Sequence, residues 1–291
     1  GADEPRSALA TPDGGFLLVG FSNSSPSGNK SSAPIGGSDV WAVKINADGN
    51  VIWDKTYGGT GFDEGYGAAL APDGGYLITG WSGSPPDGNK TQSHLGGNDV
   101  WTIRIDAQGN KVWDKRFGGD GNDYCQSVVA TSDGGFLLAG RSNSVAGGDK
   151  SEASRGGYDY WAVKINASGG KVWDKRFGGD GTDYCFDVTA TTDGGYLLAG
   201  YSISDANGDK SEAGRGNNDY WAVKINASGA KVWDKRFGGA NSDVCYGVTT
   251  TAGGGYLLAG YSISGASGDK SEAGRGDDDF WAVKVDANGA K

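Results

Sequence analysis

Apolar and polar positions alternate over residues 159–166, where Trp161, Val163 and Ile165 fall on one side of an extended chain, and this period of two predicts a β-strand. Ala167-Ser168-Gly169-Gly170 breaks the pattern, and residues 171–177 resume it as a second strand. Upstream, residues 136–142 form a nearly continuous apolar run, the pattern of a strand covered on both faces. Residues 124–131 precede it as a further strand, joined through Ser132-Asp133-Gly134-Gly135, whose glycines supply the positive φ of a tight hairpin. Residues 143–158 are polar and too long for a passive hairpin loop.

This unit recurs. The tryptophan of its third strand returns at Trp41, Trp101, Trp161, Trp221 and Trp281, and the turn aspartate at Asp13, Asp73, Asp133 and Asp193, with Gly253 in the fifth place. The period is 60 residues, repeated five times, with no helical periodicity in any repeat. Two tight hairpins per repeat favour an antiparallel meander over the shorter, parallel coils of a β-solenoid. The expected fold is therefore all-β: one domain over residues 1–291, a five-bladed β-propeller of four-stranded antiparallel blades beginning near residues 1, 61, 121, 181 and 241.

The phase of the repeat orders the strands within a blade. Five full periods would need nine more residues than the 291 present, about one strand, and the shortfall falls on the last strand of the fifth repeat. Only if the first strand is innermost does this leave the remaining three paired, so the fifth blade is expected to lack its outermost strand. Small residues at 65–71 suit a crowded axis, and the charges of Lys171, Asp174, Lys175 and Arg176 suit an outer edge. The bare edge of the fifth blade invites a strand from a partner. By the same geometry the long loops and the inter-blade Phe-Gly-Gly connections gather on one face, the expected recognition surface.

Composition narrows the function. A net charge of −10 lacks the basic patch that nucleic acid requires. No apolar run approaches the roughly 18 residues of a membrane-spanning helix, so neither nucleic acid nor membrane insertion is expected. Absence of Met and of a leader suggests a mature or excised segment. Cys125, Cys185 and Cys245 hold one repeat position, which favours buried packing over disulfides, zinc or catalysis.

Several repeated positions are candidates for chemistry. Lys30, Lys90, Lys150, Lys210 and Lys270 lie in Gly-Asp/Asn-Lys-Ser/Thr loop cores, which lack the spacing and helix of a phosphate loop. They are expected either to pair with acids in a structural turn or to form a ring of ligand contacts. Phe21, Trp81, Arg141, Tyr201 and Tyr261 close the second strands, where a flat side chain either completes the core or stacks on a sugar. Asp3, Asp63, Asp123, Asp183 and Asp243 precede the innermost strands; they are satisfied locally or bridged by a cation such as Ca²⁺. Asp39, Asp99, Asp159, Asp219 and Asp279 read as anchors for the long loops. His94, the sole histidine, stands without any nucleophile or metal motif.

Trp-Asp-Lys-Arg-Phe-Gly-Gly, Asp-Gly-Gly-Tyr-Leu-Leu-Ala-Gly, Gly-Asp-Lys-Ser-Glu and Asp-Tyr-Trp-Ala-Val-Lys-Ile resemble, along the whole chain, the tandem repeats of large secreted or cell-surface proteins of Bacteroidetes and related bacteria. The resemblance implies an extracellular location and supplies no catalytic residues. Catalysis needs unlike groups at one point, whereas near-identical repeats supply like groups symmetrically. The leading expectation is a noncatalytic binding or adhesion propeller with a glycan or a cell-surface protein as partner. A carbohydrate-active enzyme of glycoside hydrolase type and a structural scaffold are the alternatives, the enzyme requiring two carboxylates in a nonrepeated setting across a pocket.

Overall fold

A computed structural model describes every residue from Gly1 to Lys291. Its only regular elements are 19 strands. The first blade holds β1 (Asp3–Ala10), β2 (Phe16–Ser22), β3 (Asp39–Ile45) and β4 (Val51–Tyr57), and the second β5 (Asp63–Leu70), β6 (Tyr76–Ser82), β7 (Asp99–Ile105) and β8 (Lys111–Phe117). The third holds β9 (Asp123–Ala130), β10 (Phe136–Ser142), β11 (Asp159–Ile165) and β12 (Lys171–Phe177). The fourth holds β13 (Asp183–Ala190), β14 (Tyr196–Ser202), β15 (Asp219–Ile225) and β16 (Lys231–Phe237), and the fifth β17 (Asp243–Thr250), β18 (Tyr256–Ser262) and β19 (Asp279–Val285). Strands pair in chain order within each sheet, four strands in four sheets and three in the last. The fold is a five-bladed β-propeller whose fifth blade lacks the outermost strand.

Turn chemistry sets these meanders. Gly194 and Gly229 take φ of 81° and 82° at the two hairpin turns of the fourth blade, conformations that a Cβ would strain. Asn226 supports the second turn by accepting the amides of Ser228 and Ala230. The innermost strands β1, β5, β13 and β17 also carry a bulge, in the fourth blade between Cys185 and Asp187. Opposite it stands Gly200, because a Cβ there would lie 1.8 Å from the Tyr184 carbonyl oxygen.

The chain forms two compact units. One comprises Gly1–Leu138, Ser144–Lys150 and Ile165–Gly170, the other Ala139–Asn143, Ser151–Lys164 and Lys171–Lys291. In the first unit Leu17, Val19, Val40 and Ala42 of one blade share a core with Ile78, Trp101, Ile103 and Ile105 of the next. Tyr57 adds a hydrogen bond across that junction, its hydroxyl donating to the Gly109 carbonyl at 2.6 Å. In the second unit Leu197, Ala199, Tyr220 and Ala222 pack on Cys245, Val248, Leu258 and Val283. There the Tyr160 and Tyr220 hydroxyls donate to the Trp221 and Trp281 carbonyls at 2.8 and 2.9 Å, so each junction is apolar with one satisfied polar tip.

Candidate binding surface

The long loops are built from the strands they leave. Asp39, Asp99, Asp159, Asp219 and Asp279 each accept an amide from four residues upstream, at 2.6–2.7 Å, as expected of loop anchors. A second anchor comes from the outermost strand and was not singled out in the sequence. Asp234 Oδ2 accepts the Ser211 amide at 2.8 Å and the Trp221 indole N–H at 3.1 Å, while Oδ1 takes the Lys231 ammonium at 2.8 Å. Asp54, Asp114 and Asp174 repeat the loop-amide and indole contacts. Burial works to raise the pKa of Asp234, but the hydrogen bonds from Lys231, Ser211 and Trp221 prevail and hold it below the ordinary value.

The loop lysines face inward, which corrects their candidacy as ligand contacts. Lys30, Lys90, Lys150, Lys210 and Lys270 are all buried. The Lys210 ammonium donates to the Ser204 carbonyl at 2.6 Å, Lys270 to that of Ser264 at 2.7 Å and Lys90 to that of Ser84 at 2.9 Å, while Lys30 reaches the Thr56 hydroxyl at 2.9 Å. Their four-carbon stems thread under the loop to find acceptors there. Lys30, Lys90, Lys210 and Lys270 thus bond to carbonyl and hydroxyl oxygens and not to the acids that the turn reading had them pair with. Burial lowers the pKa of Lys90 and Lys210. The neighbouring aspartates instead bind arginine: Asp209 takes Arg155 at 2.7 Å and Arg176 at 2.9 Å, and Asp269 takes Arg215 at 2.6 Å.

The aspartates of the second ring are each satisfied locally. Asp63, Asp123, Asp183 and Asp243 each accept a glycine amide four residues upstream at 2.8–2.9 Å and a serine hydroxyl at 2.7–2.9 Å. Asp3 is held by Ser22 and Ser24. No group of three or more His, Cys, Asp or Glu is placed to hold a metal ion. Carboxylates do approach in pairs: a Cβ at Gly238 would lie 1.8 Å from Asp219 Oδ1 and 3.0 Å from Asp243 Oδ2. The same pairing recurs at Gly58, Gly118 and Gly178, so it is a repeated, buried feature of the blade. Burial pushes the Asp99 carboxyl up to about 6, with Asp123 nearby adding to the shift.

What the structure gathers is aromatic. In the innermost strand the bulge lets alternate residues point away from the blade core, and in β13 these are Tyr184 and Phe186, both half-buried. Tyr201 lies against them at centroid distances of 5.1 and 5.9 Å. Phe186 reaches Tyr246 at 5.0 Å, and Tyr246 reaches Tyr261 at 5.9 Å, making one stripe across the fourth and fifth blades. Arg141 covers the Tyr184 ring at 4.4 Å and the Tyr158 ring at 5.7 Å. Burial pushes the Tyr201 phenol up to about 12, so it is neutral at physiological pH. In the first unit Arg6 lies over both Phe21 and Tyr66, and Trp81 meets Tyr124 edge-on at 5.8 Å.

Thus Phe21, Trp81, Arg141, Tyr201 and Tyr261 each stack on a side chain of an innermost strand, and none is a lone core plug. The partners Tyr184, Phe186 and Tyr246 went unnoticed in the sequence, although the spacing of two between Tyr184 and Phe186 puts that pair on one side of a strand and Tyr246 holds the position of Phe186 one repeat later. Cys125, Cys185 and Cys245 are buried and form no disulfide, and burial pushes the Cys245 thiol up to about 12. His94 is an exposed loop residue.

No protein-family model and no curated protein sequence matches the chain. Among solved structures it is similar to a protein of unknown function from Bacteroides caccae, with a TM-score of 0.53, 15% identity, and coverage of 99% of this chain and 79% of that one. It is also similar to hydrazine synthase of Kuenenia stuttgartiensis, with a TM-score of 0.50 and 13% identity, covering 89% of this chain but only 56% of that chain. At such identities the likeness concerns the fold alone.

Proposed function

We propose that this chain is a noncatalytic binding propeller, working outside the cell, whose ligands are glycans held on the aromatic stripe of Tyr184, Phe186, Tyr201, Tyr246 and Tyr261. One observation carries the reading: these rings stack on one another while staying partly open, and Tyr246 is 54% exposed. A purely structural cluster would be covered. Ring faces suit the C–H faces of sugars, and the phenol hydroxyls and Arg141 supply donors at the edges. The carboxylate pairs favour a noncatalytic role, because they repeat from blade to blade and are buried in the loop anchors.

A glycan array probed with the intact chain tests the proposal. Binding of a defined glycan, weakened about tenfold by Tyr246→Ala with an unchanged melting temperature, is expected, a tenfold change corresponding to about 1.4 kcal/mol, the scale of one aromatic contact. Absence of glycan binding, or binding indifferent to Tyr246→Ala, overturns it. Release of cleaved sugar on incubation would replace it with the enzyme reading.

A further inference from the structure

One position breaks the repeat. Asp13, Asp73, Asp133 and Asp193 each stand in the hairpin turn between the first two strands of a blade, and Gly253 stands there in the fifth. In the fourth blade three donors meet the Asp193 carboxylate: the Thr191 hydroxyl at 2.5 Å, the Gly195 amide at 3.0 Å and the Lys224 ammonium at 2.9 Å. The first blade repeats the set, with Thr11, Gly15 and Lys44 around Asp13. The hydrogen bond from Thr191, joined by those of Lys224 and Gly195, outweighs burial and lowers the Asp193 carboxyl to about 2, so this cradle favours a carboxylate in its charged form.

The fifth blade keeps the cradle without the acid. The Thr251 amide donates to the Gly255 carbonyl at 2.8 Å and the Gly254 amide to the Thr251 carbonyl at 3.0 Å, as at Thr191 and Gly194, and Gly254 holds the same φ of 81° as Gly194. The turn therefore has its shape with no aspartate in it. Lys284 lies opposite Leu257 as Lys224 lies opposite Leu197, so its stem leaves the sheet at the same register. The buried Thr251 hydroxyl has no hydrogen-bond partner, and a Cβ at Gly253 would meet nothing within 4 Å. A cleft of about 400 Å³ lies here, lined by Thr251, Gly253, Gly255, Lys284 and Asp286 among others. Asp286 turns one oxygen to the Asn288 and Ala290 amides, at 2.8 and 2.9 Å, and in the second blade Asp106 holds the same place while Asp73 keeps its Gly75 and Arg104 donors. Access does not depend on the edge of the fifth blade, because the Asp13, Asp73 and Asp193 side chains are 54%, 73% and 62% exposed in blades that have all four strands.

We propose that the hairpin turn of the fifth blade is a binding site for a small free carboxylate, which takes the place of the aspartate side chain: one oxygen accepts the Thr251 hydroxyl and the Gly255 amide, and the Lys284 ammonium closes on the pair. Two of the three donors are fixed by the turn, so little ordering is required beyond the lysine stem. Donors held for a charged acceptor discriminate against a neutral amide of the same outline, which offers one acceptor oxygen and no charge.

The test titrates sodium acetate into the intact, isotope-labelled chain at neutral pH, with sodium chloride holding the ionic strength constant, and follows the backbone amide resonances. Saturable shifts centred on Thr251 and Gly255 are expected, with a midpoint in the millimolar range, the scale open to so few ligand atoms in a half-open cleft. Gly253→Asp abolishes them by supplying the acid in place, and Thr251→Val weakens binding about tenfold, the loss of one hydrogen bond to a charged group. Acetamide leaves the resonances where they are. Asp193→Gly creates the same cradle in the fourth blade, and acetate then shifts the Gly195 amide as well. Shifts that never saturate, an equal response to acetamide, binding that survives Gly253→Asp, or a folded Asp193→Gly chain whose Gly195 ignores acetate each overturns the proposal. None of these residues belongs to the aromatic stripe, so failure here and failure of the glycan reading are distinguishable.

Discussion

Removing the Asp234 carboxylate tests the claim that each long loop hangs on an acid of the outermost strand. Asp234→Ala strands the indole N–H of Trp221, which is fully buried, and the Ser211 amide that starts the loop. Hydrogen bonds to a charged acceptor are worth about 1.5–3 kcal/mol each, and the lost ion pair with the one-third-exposed Lys231 adds only about 0.5 kcal/mol. Relief from burying the carboxylate offsets part of this, leaving an expected loss of about 3–4 kcal/mol. Asp234→Asn keeps the shape and one acceptor and should cost about 1–2 kcal/mol. Urea denaturation followed by far-ultraviolet circular dichroism reads the ranking, and hydrogen exchange at the Ser211 amide reads the local release. The pH dependence supplies an independent check. The folded pKa of Asp234 lies below its unfolded value, so its stabilisation is present above the unfolded pKa and is lost as pH falls through the folded one. The gap between wild type and Asp234→Ala should therefore narrow from pH 7 to pH 3. A loss under about 0.5 kcal/mol, the scale of a surface change, or a gap that stays constant with pH would refute the anchoring role.

Other outcomes follow from the same geometry. Asp99 has a folded pKa of about 6, above its unfolded value, so Asp99→Asn should stabilise the chain at pH 8 relative to wild type by up to about 3 kcal/mol and lose that advantage below about pH 4, as paired melting curves will show. Cys245 is buried with its thiol raised to about 12, so the folded chain at pH 8 should leave it unmodified by iodoacetamide while the urea-unfolded chain reacts at all three cysteines by mass spectrometry. Gly200→Ala drives a methyl into the Tyr184 carbonyl and should lower stability by about 3 kcal/mol or more in urea titration, whereas Gly253→Ala, with open space around it, should change it by less than about 1 kcal/mol. Phe280 is fully exposed where the equivalent Tyr220 is buried, so Phe280→Ser should leave the unfolding midpoint unchanged and reduce light scattering at high concentration.

The 60-residue repeat, the two hairpins per blade and the short fifth blade were legible in the sequence, because alternation of period two and glycine turns are local properties that hold in any blade. Strand bounds fall within a residue of those expected, 159–166 against Asp159–Ile165 for example. The tertiary structure alone decided which polar side chains turn inward. Lys210 and Asp209 are adjacent in the chain, yet the lysine finds the Ser204 carbonyl beneath the loop and the aspartate finds Arg155 and Arg176 beside it. Those choices depend on acceptors brought near by packing, which composition does not encode. The aromatic stripe lies between these cases. The spacing of Tyr184 and Phe186 put them on one face, but only the bulge opposite Gly200 and the approach of Tyr246 from the next blade joined single rings into a surface.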